Sequence, residues 1–120
     1  MLRHCIFLKY RAGTSDAHVT AFCERMLALR GVIGEIVRLE IGRDELHDAR
    51  SWDVVLIMEF ASVDTLREYQ RHPQHLAVMG FNEPFVAHVA SVDFTRPYEG
   101  SPMPPSRYSD GISGENDEQE

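Results

Sequence analysis

Tyr69-Gln70-Arg71-His72-Pro73-Gln74-His75 gathers a phenol and two imidazoles around one proline. These are the side chains of proton transfer near neutral pH: imidazole takes a proton, and a phenol donates to an oxygen that gains charge. Pro73 lacks an N–H and pushes His72 out of the α region, so a helix arriving here is predicted to stop near Arg71. Proline also suits a first helical position, which predicts a second short helix from Pro73. His75 then lies in that helix's first turn, where the positive end of the helix dipole disfavours imidazolium and leaves a neutral base. His4, in phase with Ile6 and Leu8, reaches the same space if its strand face looks toward the helices. With His75 as base, Tyr69 as donor and His4 beside them, the catalytic set suits removing a proton between two carbonyls in a dry pocket. The alternative is a helix–helix corner whose histidines only cap and pack.

Other chemistries lack their residues. His72 and His75 would need a third metal ligand, from Glu68 or His4, and no HExxH or carboxylate cluster supplies one, so no metal is expected. There is no Gly-rich phosphate loop, no Ser/His/Asp pattern and no CxxC; no cofactor is expected. Cys5 and Cys23, the only cysteines, are read as buried free thiols of a reducing, cytoplasmic compartment. His72 is expected to hydrogen-bond backbone at the corner. His18 and His47 are read as solvated, and His88 as an interface or pocket-wall residue.

The elements that must position these groups follow from periodicity. Residues 2–10 alternate with apolar side chains on both faces, a strand. Thr14 or Ser15 can cap a helix carrying Val19, Phe22, Cys23, Met26 and Leu29 or Leu27 in one stripe, broken by Gly31 and Gly34. Glu35 to Gly42 alternates as a half-exposed edge strand with Val37, Leu39 and Ile41 on one face. Trp52 to Phe60 is the strongest strand signal. Ser62 caps the helix that runs to the proline corner, and Leu76, Val78, Met79 and Phe81 continue an apolar surface beyond it. In the last strand, Phe85 to Phe94, the residues Val86, His88, Ala90, Val92 and Phe94 share one phase. Trp52, Phe60 and Phe94 read as core.

The formal net charge is −7 with a single lysine, Lys9, which argues against nucleic acid or an anionic membrane as partner. Much of that charge lies beyond Phe94, where two arginines stand against six carboxylates, a net of −4. This stretch, with four of the six prolines, is read as a disordered acidic tail over 95–120, following a domain over 1–94. No apolar run approaches a membrane span, and the N-terminal stretch lacks a signal-peptide pattern, so it is read as mature protein.

Strand–helix–strand twice over gives an α+β, ferredoxin-like βαββαβ fold, a four-stranded antiparallel sheet with its helices on one face. Two helices cover only that face, yet Cys5, Phe7, Val55 and Ile57 make the other one apolar as well. A second copy laid sheet to sheet, a dimeric α+β barrel, covers it, so a homodimer is expected.

With the elements in place, the sequence resembles the stress-responsive A/B barrel (Dabb) family over residues 2–94. The resemblance rests on Leu2-Arg3-His4 leading into a strand with Lys9, and on Phe60-Ala61-Ser62. It rests further on Tyr69-x-x-His72-Pro73-x-His75, Phe85-Val86 and Val92-Asp93-Phe94. It implies a dimeric barrel with a cavity between sheet and helices. In the family's cofactor-free plant polyketide cyclase, the general-base histidine falls on His75, the assisting tyrosine on Tyr69 and a first-strand histidine on His4. A third-strand histidine of that chemistry has its counterpart at Val54, where this chain departs from it. The functional expectation is a small apolar, oxygenated ligand, with cofactor-independent cyclase- or isomerase-type chemistry. A passive stress-associated binding protein and a cofactor-free monooxygenase are the rival readings.

Overall fold

The computed structural model describes residues 1–95; the expected disordered tail lies outside the described residues. Strand β1 spans Leu2–Tyr10, helix α1 Asp16–Ala28 with a tight turn to Gly31, and strand β2 Arg38–Arg43. Strand β3 covers Val54–Phe60, helix α2 Val63–Arg71, helix α3 Pro73–Asn82, and strand β4 Val86–Phe94. The antiparallel sheet has the order β2-β3-β1-β4. This is the ferredoxin-like arrangement, with β2 at an edge as the sequence predicts.

Local signals set the boundaries. Gly13, at φ +88°, turns the chain after β1 where a side chain would be strained. The Ser15 side chain accepts from the His18 N–H and starts α1. Ser62 and Thr65 close a reciprocal capping box at α2. At the corner, His72 is extended (φ −65°, ψ 133°) and ends α2, while Pro73 opens α3. The His72 ring accepts from the Gln74 N–H at 3.0 Å, the backbone role expected of it.

The core lies between the sheet and the helices. Phe22 and Met26 of α1, Ile33 after it, and Met58 and Phe60 of β3 are fully buried. Each such side chain contributes about 1.5–3 kcal/mol by leaving water. Leu29 rather than Leu27 completes the α1 stripe.

Several expectations are corrected. The second strand starts at Arg38, not Glu35, because Ile33 and Ile36 plug the core from the preceding loop and leave Val37 exposed. The third strand starts at Val54; Trp52 precedes it and packs on the outer sheet face against Phe7, at 6.3 Å between ring centroids. Phe94 also stands on that outer face, under the Arg3 guanidinium, so neither ring is core. Cys5 and Cys23 are free but only half buried. A bulge where β1 meets β4, between Lys9 and Tyr10, breaks the expected phase of β4. Val86 pairs with Tyr10 and packs on the core, whereas Ala90, Val92 and Phe94 pair with Phe7, Cys5 and Arg3. Val89, Ser91 and Asp93 therefore share the helix side.

Candidate functional site

The helix side of β4 is where the structure opens. The helices pack on one another, with α1 against β2 and α2 against β3, and Val89 on the helix side of β4 stays 60% exposed. Beneath this gap lies a cavity of about 550 Å³. Ile6, Leu8, Phe22, Leu56, Met58, Met79, Val86 and Val89 supply its apolar walls, and His4, Tyr69, Gln70, His75, Asn82 and Glu83 its polar residues. The volume suits a small-molecule site.

His4, Tyr69 and His75 all line this cavity. His4 is brought there by strand phase: it faces the helices together with Ile6 and Leu8, edge-on to Phe60 at 6.1 Å. The Tyr69 and His75 rings, on either side of the proline corner, lie 4.3 Å apart at 47°. Phe60 supports the Tyr69 ring from below, at 5.1 Å. Leu76, next to His75, points to solvent rather than filling the space.

The hydrogen bonds define each group's protons. A carbonyl oxygen only accepts, so His75 Nδ1–H donates to the Gln70 carbonyl at 3.1 Å. That oxygen is one of the carbonyls that the end of α2 leaves without a helical partner. The bond leaves Nε2 with the lone pair, on a ring that lines the cavity. Burial first, and then the nearby His4 and His72, hold the His75 pKa below its usual value, against the raising effect of the Gln70 bond. The sequence argument reached the same direction through the helix dipole; desolvation is the larger cause. Burial pushes the Tyr69 phenol well above its usual range, so it stays protonated, and no acceptor for its hydroxyl lies among the described residues.

Two features were not foreseen. His4 Nδ1 is hydrogen-bonded to Asp93 Oδ1, its direct cross-strand partner on β4. An aspartate near the end of an alternating strand gives no sequence signal that it faces inward, once a bulge has shifted the phase. His18, expected to be solvated, is half-buried behind Asn82 of the cavity wall. Its ring packs on Phe81 at 4.7 Å and Phe85 at 4.0 Å, and Nε2 bonds Asn82 Oδ1 at 2.9 Å. Tyr10 donates to the same oxygen at 2.7 Å, and burial raises its phenol to about 12. His47 is exposed in its loop, as expected. His88 lines the cavity wall. Among the described residues no three His, Cys, Asp or Glu side chains converge as metal ligands, and no helix is long and apolar enough to cross a membrane.

An antiparallel ferredoxin-like sheet with helices on one face and an apolar cavity between the layers defines a single-domain α+β barrel subunit. Residues 2–96 match the sequence profile of the Stress responsive A/B Barrel Domain, Dabb. The chain belongs to this family. Solved structures agree on the fold. A dimeric protein of unknown function from Bacteroides fragilis superposes with a TM-score of 0.70 at 25% identity, over 78% of this chain and 93% of that one. A Dabb family protein from Mesorhizobium loti gives a TM-score of 0.68 at 18% identity, over 80% and 96%. A hydroxynitrile lyase from Passiflora edulis gives 0.73 at 17% identity, over 84% and 96%. No curated protein sequence matches the chain significantly.

Proposed function

We propose that this chain binds a small apolar, oxygenated molecule in the cavity and acts on it by cofactor-independent proton transfer. His75 Nε2 serves as the general base. The Tyr69 hydroxyl donates to the oxygen that gains charge, and His4, held by Asp93, assists beside them. The observation that carries the reading is the His75–Tyr69 pair, with ring centroids 4.3 Å apart and the rings tilted at 47°, on one wall of an apolar cavity. The His75 Nδ1 proton is committed to a backbone carbonyl, which orients Nε2 as the basic nitrogen. A base with a lowered pKa is unprotonated at neutral pH, and a phenol with a raised one keeps the proton it must donate. Both shifts point the right way.

The reaction class is removal of a proton next to a carbonyl or from a hydroxyl, as in cyclisation, isomerisation or lyase chemistry. A fold neighbour that is a hydroxynitrile lyase supports reading this frame as able to carry an enzyme. The chain works as a homodimer on this reading. Phe7, Trp52, Ile57, Ala90 and Val92 present an apolar outer sheet face, with Val92 55% exposed, and two fold neighbours are dimeric. Its free thiols suit the cytoplasm.

The test uses a nine-carbon diketone with a carbonyl one carbon in from each end, followed by proton NMR in D2O. The wild type should exchange the α-protons faster than buffer, and His75→Ala should fall back to the buffer rate. Binding of the diketone with no exchange above buffer would leave the passive binding protein as the correct reading. Oxygen uptake with the same probe would point to the monooxygenase instead. A monomer in sedimentation at micromolar concentration would overturn the dimer.

A further inference from the structure

His4 and Asn82 are the buried polar side chains among the described residues, at 6% and 3% exposure, and both line the same cavity. His4 belongs to the proposed proton-transfer end. Asn82 lies at the other end. It is seven residues beyond His75 on α3, hence on the same helix face and about 10 Å along the axis. Val78 and Met79 stand between them at helical spacing.

The Asn82 amide is oriented from behind. Its Oδ1 receives two bonds, from the Tyr10 hydroxyl at 2.7 Å and from His18 Nε2 at 2.9 Å. His18 is fixed in turn by the aromatic rings of Phe81, Phe85 and Tyr10. With the carbonyl side of the amide saturated, its NH2 must face the other way. No acceptor for Nδ2 lies among the described residues, yet no buried side-chain nitrogen or oxygen lacks both a partner and access. On a residue 97% buried that lines the cavity, that access is the cavity itself. An amide NH2 held there, in mostly apolar walls, is a hydrogen-bond donor awaiting an acceptor.

We infer that Asn82 is the ligand-anchoring residue of the cavity, its NH2 binding a neutral carbonyl or hydroxyl oxygen at the end remote from His75. Two donors could also suit a carboxylate. The Glu83 carboxylate in the same wall disfavours an anion there and selects a neutral oxygen. The substrate class is thereby narrowed: an apolar molecule about 10 Å long, with one oxygen at Asn82 and its reacting carbon at His75. The inference rests on the proposed cavity-binding reading and adds the second point of attachment.

The test compares a methoxy-substituted acetylnaphthalene with its ethyl analogue, which differs only in replacing the carbonyl by a methylene. Dissociation constants are measured by fluorescence with the full chain. Asn82→Asp keeps an acceptor for Tyr10 and His18 but replaces the donor NH2 by an oxygen. It should weaken the ketone roughly tenfold and leave the ethyl compound unchanged. In the wild type, the Asn82 side-chain amide resonances should shift with the ketone and not with the ethyl compound, a readout that needs no variant to fold. Tyr10→Phe, which frees the amide to rotate, should weaken the ketone alone. Equal weakening of both compounds by Asn82→Asp, or no ketone-specific amide shift, would overturn the anchoring role and leave the cavity reading standing. Failure of both compounds to bind wild type at millimolar concentration would overturn the two together.

Discussion

The two polar ends of the cavity differ in how their hydrogen bonds are spent. At the Asn82 end the amide oxygen is saturated and only the amide NH2 is left facing the cavity: that oxygen accepts from Tyr10 and His18, and aromatic rings hold the histidine from its sides. At the His75 end the ring is tied by Nδ1 alone, and the Tyr69 hydroxyl has no acceptor among the described residues. A saturated network stiffens structure and fixes the direction of a donor. A titratable group left with a free lone pair or a free proton costs stability and is able to exchange protons with a ligand, whereas an amide NH2 only donates a hydrogen bond. On the proposed function, this contrast puts binding at one end and proton transfer at the other, and substitutions should separate the two.

The largest separation is expected at His75. His75→Ala should lower α-proton exchange of the diketone by about 10²–10⁴-fold, the range for removing a positioned general base. The dissociation constant should stay within about threefold, since the alanine removes no ligand anchor. Thermal and urea denaturation should show only a modest loss, because the Gln70 carbonyl is near a helix end where water can replace the ring. At the other end the order of effects reverses. Asn82→Leu strands the Tyr10 hydroxyl and the His18 nitrogen without their acceptor, each costing about 1–3 kcal/mol when buried. A net loss of about 2–4 kcal/mol in urea denaturation is expected. Tyr69→Phe sharpens the contrast again: exchange should fall about 10- to 100-fold with stability nearly unchanged, because the hydroxyl it removes has no partner to strand.

Which of these residues the sequence revealed follows the same division. Pro73 makes the corner legible, because its chemistry both stops one helix and starts the next, and so Tyr69, His72 and His75 were placed correctly. His4 was legible from alternation along β1. Asn82 and His18 were not. A lone asparagine at the end of an apolar helix reads as a surface residue, and a histidine in a helix's first turn reads as solvated. The one available signal was spacing, since Asn82 continues the stripe of His75, Val78 and Met79. Asp93 and the outer-face position of Phe94 depended on the bulge between Lys9 and Tyr10, which no glycine or proline announces. Trp52 and Val37 were misplaced because hydrophobicity names what is buried, not which surface buries it: Ile33 and Ile36 took the core positions, and Trp52 the outer face.

The pH dependence tests the His75 end by a smaller effect. Its folded pKa lies below the usual 6.5 because burial disfavours the imidazolium. The folded state therefore binds fewer protons than the unfolded one through this group, so stability from this source is complete above pH 6.5 and declines as pH falls toward the folded pKa. The α-proton exchange rate should fall over the same acidic range, with its half-point below 6.5, because the base must be unprotonated. Above neutrality the rate should stay flat, since the Tyr69 phenol is held protonated far into the alkaline range. A half-point above 6.5 would mean that the ring is not buried during turnover.

The smallest effect isolates the corner from the chemistry. His72 precedes Pro73 and its Nδ1 accepts from the Gln74 N–H at 3.0 Å, a cap on α3 rather than a cavity group. Removing such a cap costs about 0.5–2 kcal/mol, toward the low end at a partly exposed position. His72→Ala should therefore destabilise the fold slightly. It also removes one of the charges that help hold the His75 pKa down, so the acid half-point of exchange should move slightly upward. Exchange at neutral pH and ligand affinity should be unchanged. His72→Asn restores an acceptor to the Gln74 N–H and should recover the stability but not the half-point. If His72→Ala instead abolished exchange, the two histidines of the corner would be working as one unit, and the division between a capping and a basic histidine would fail.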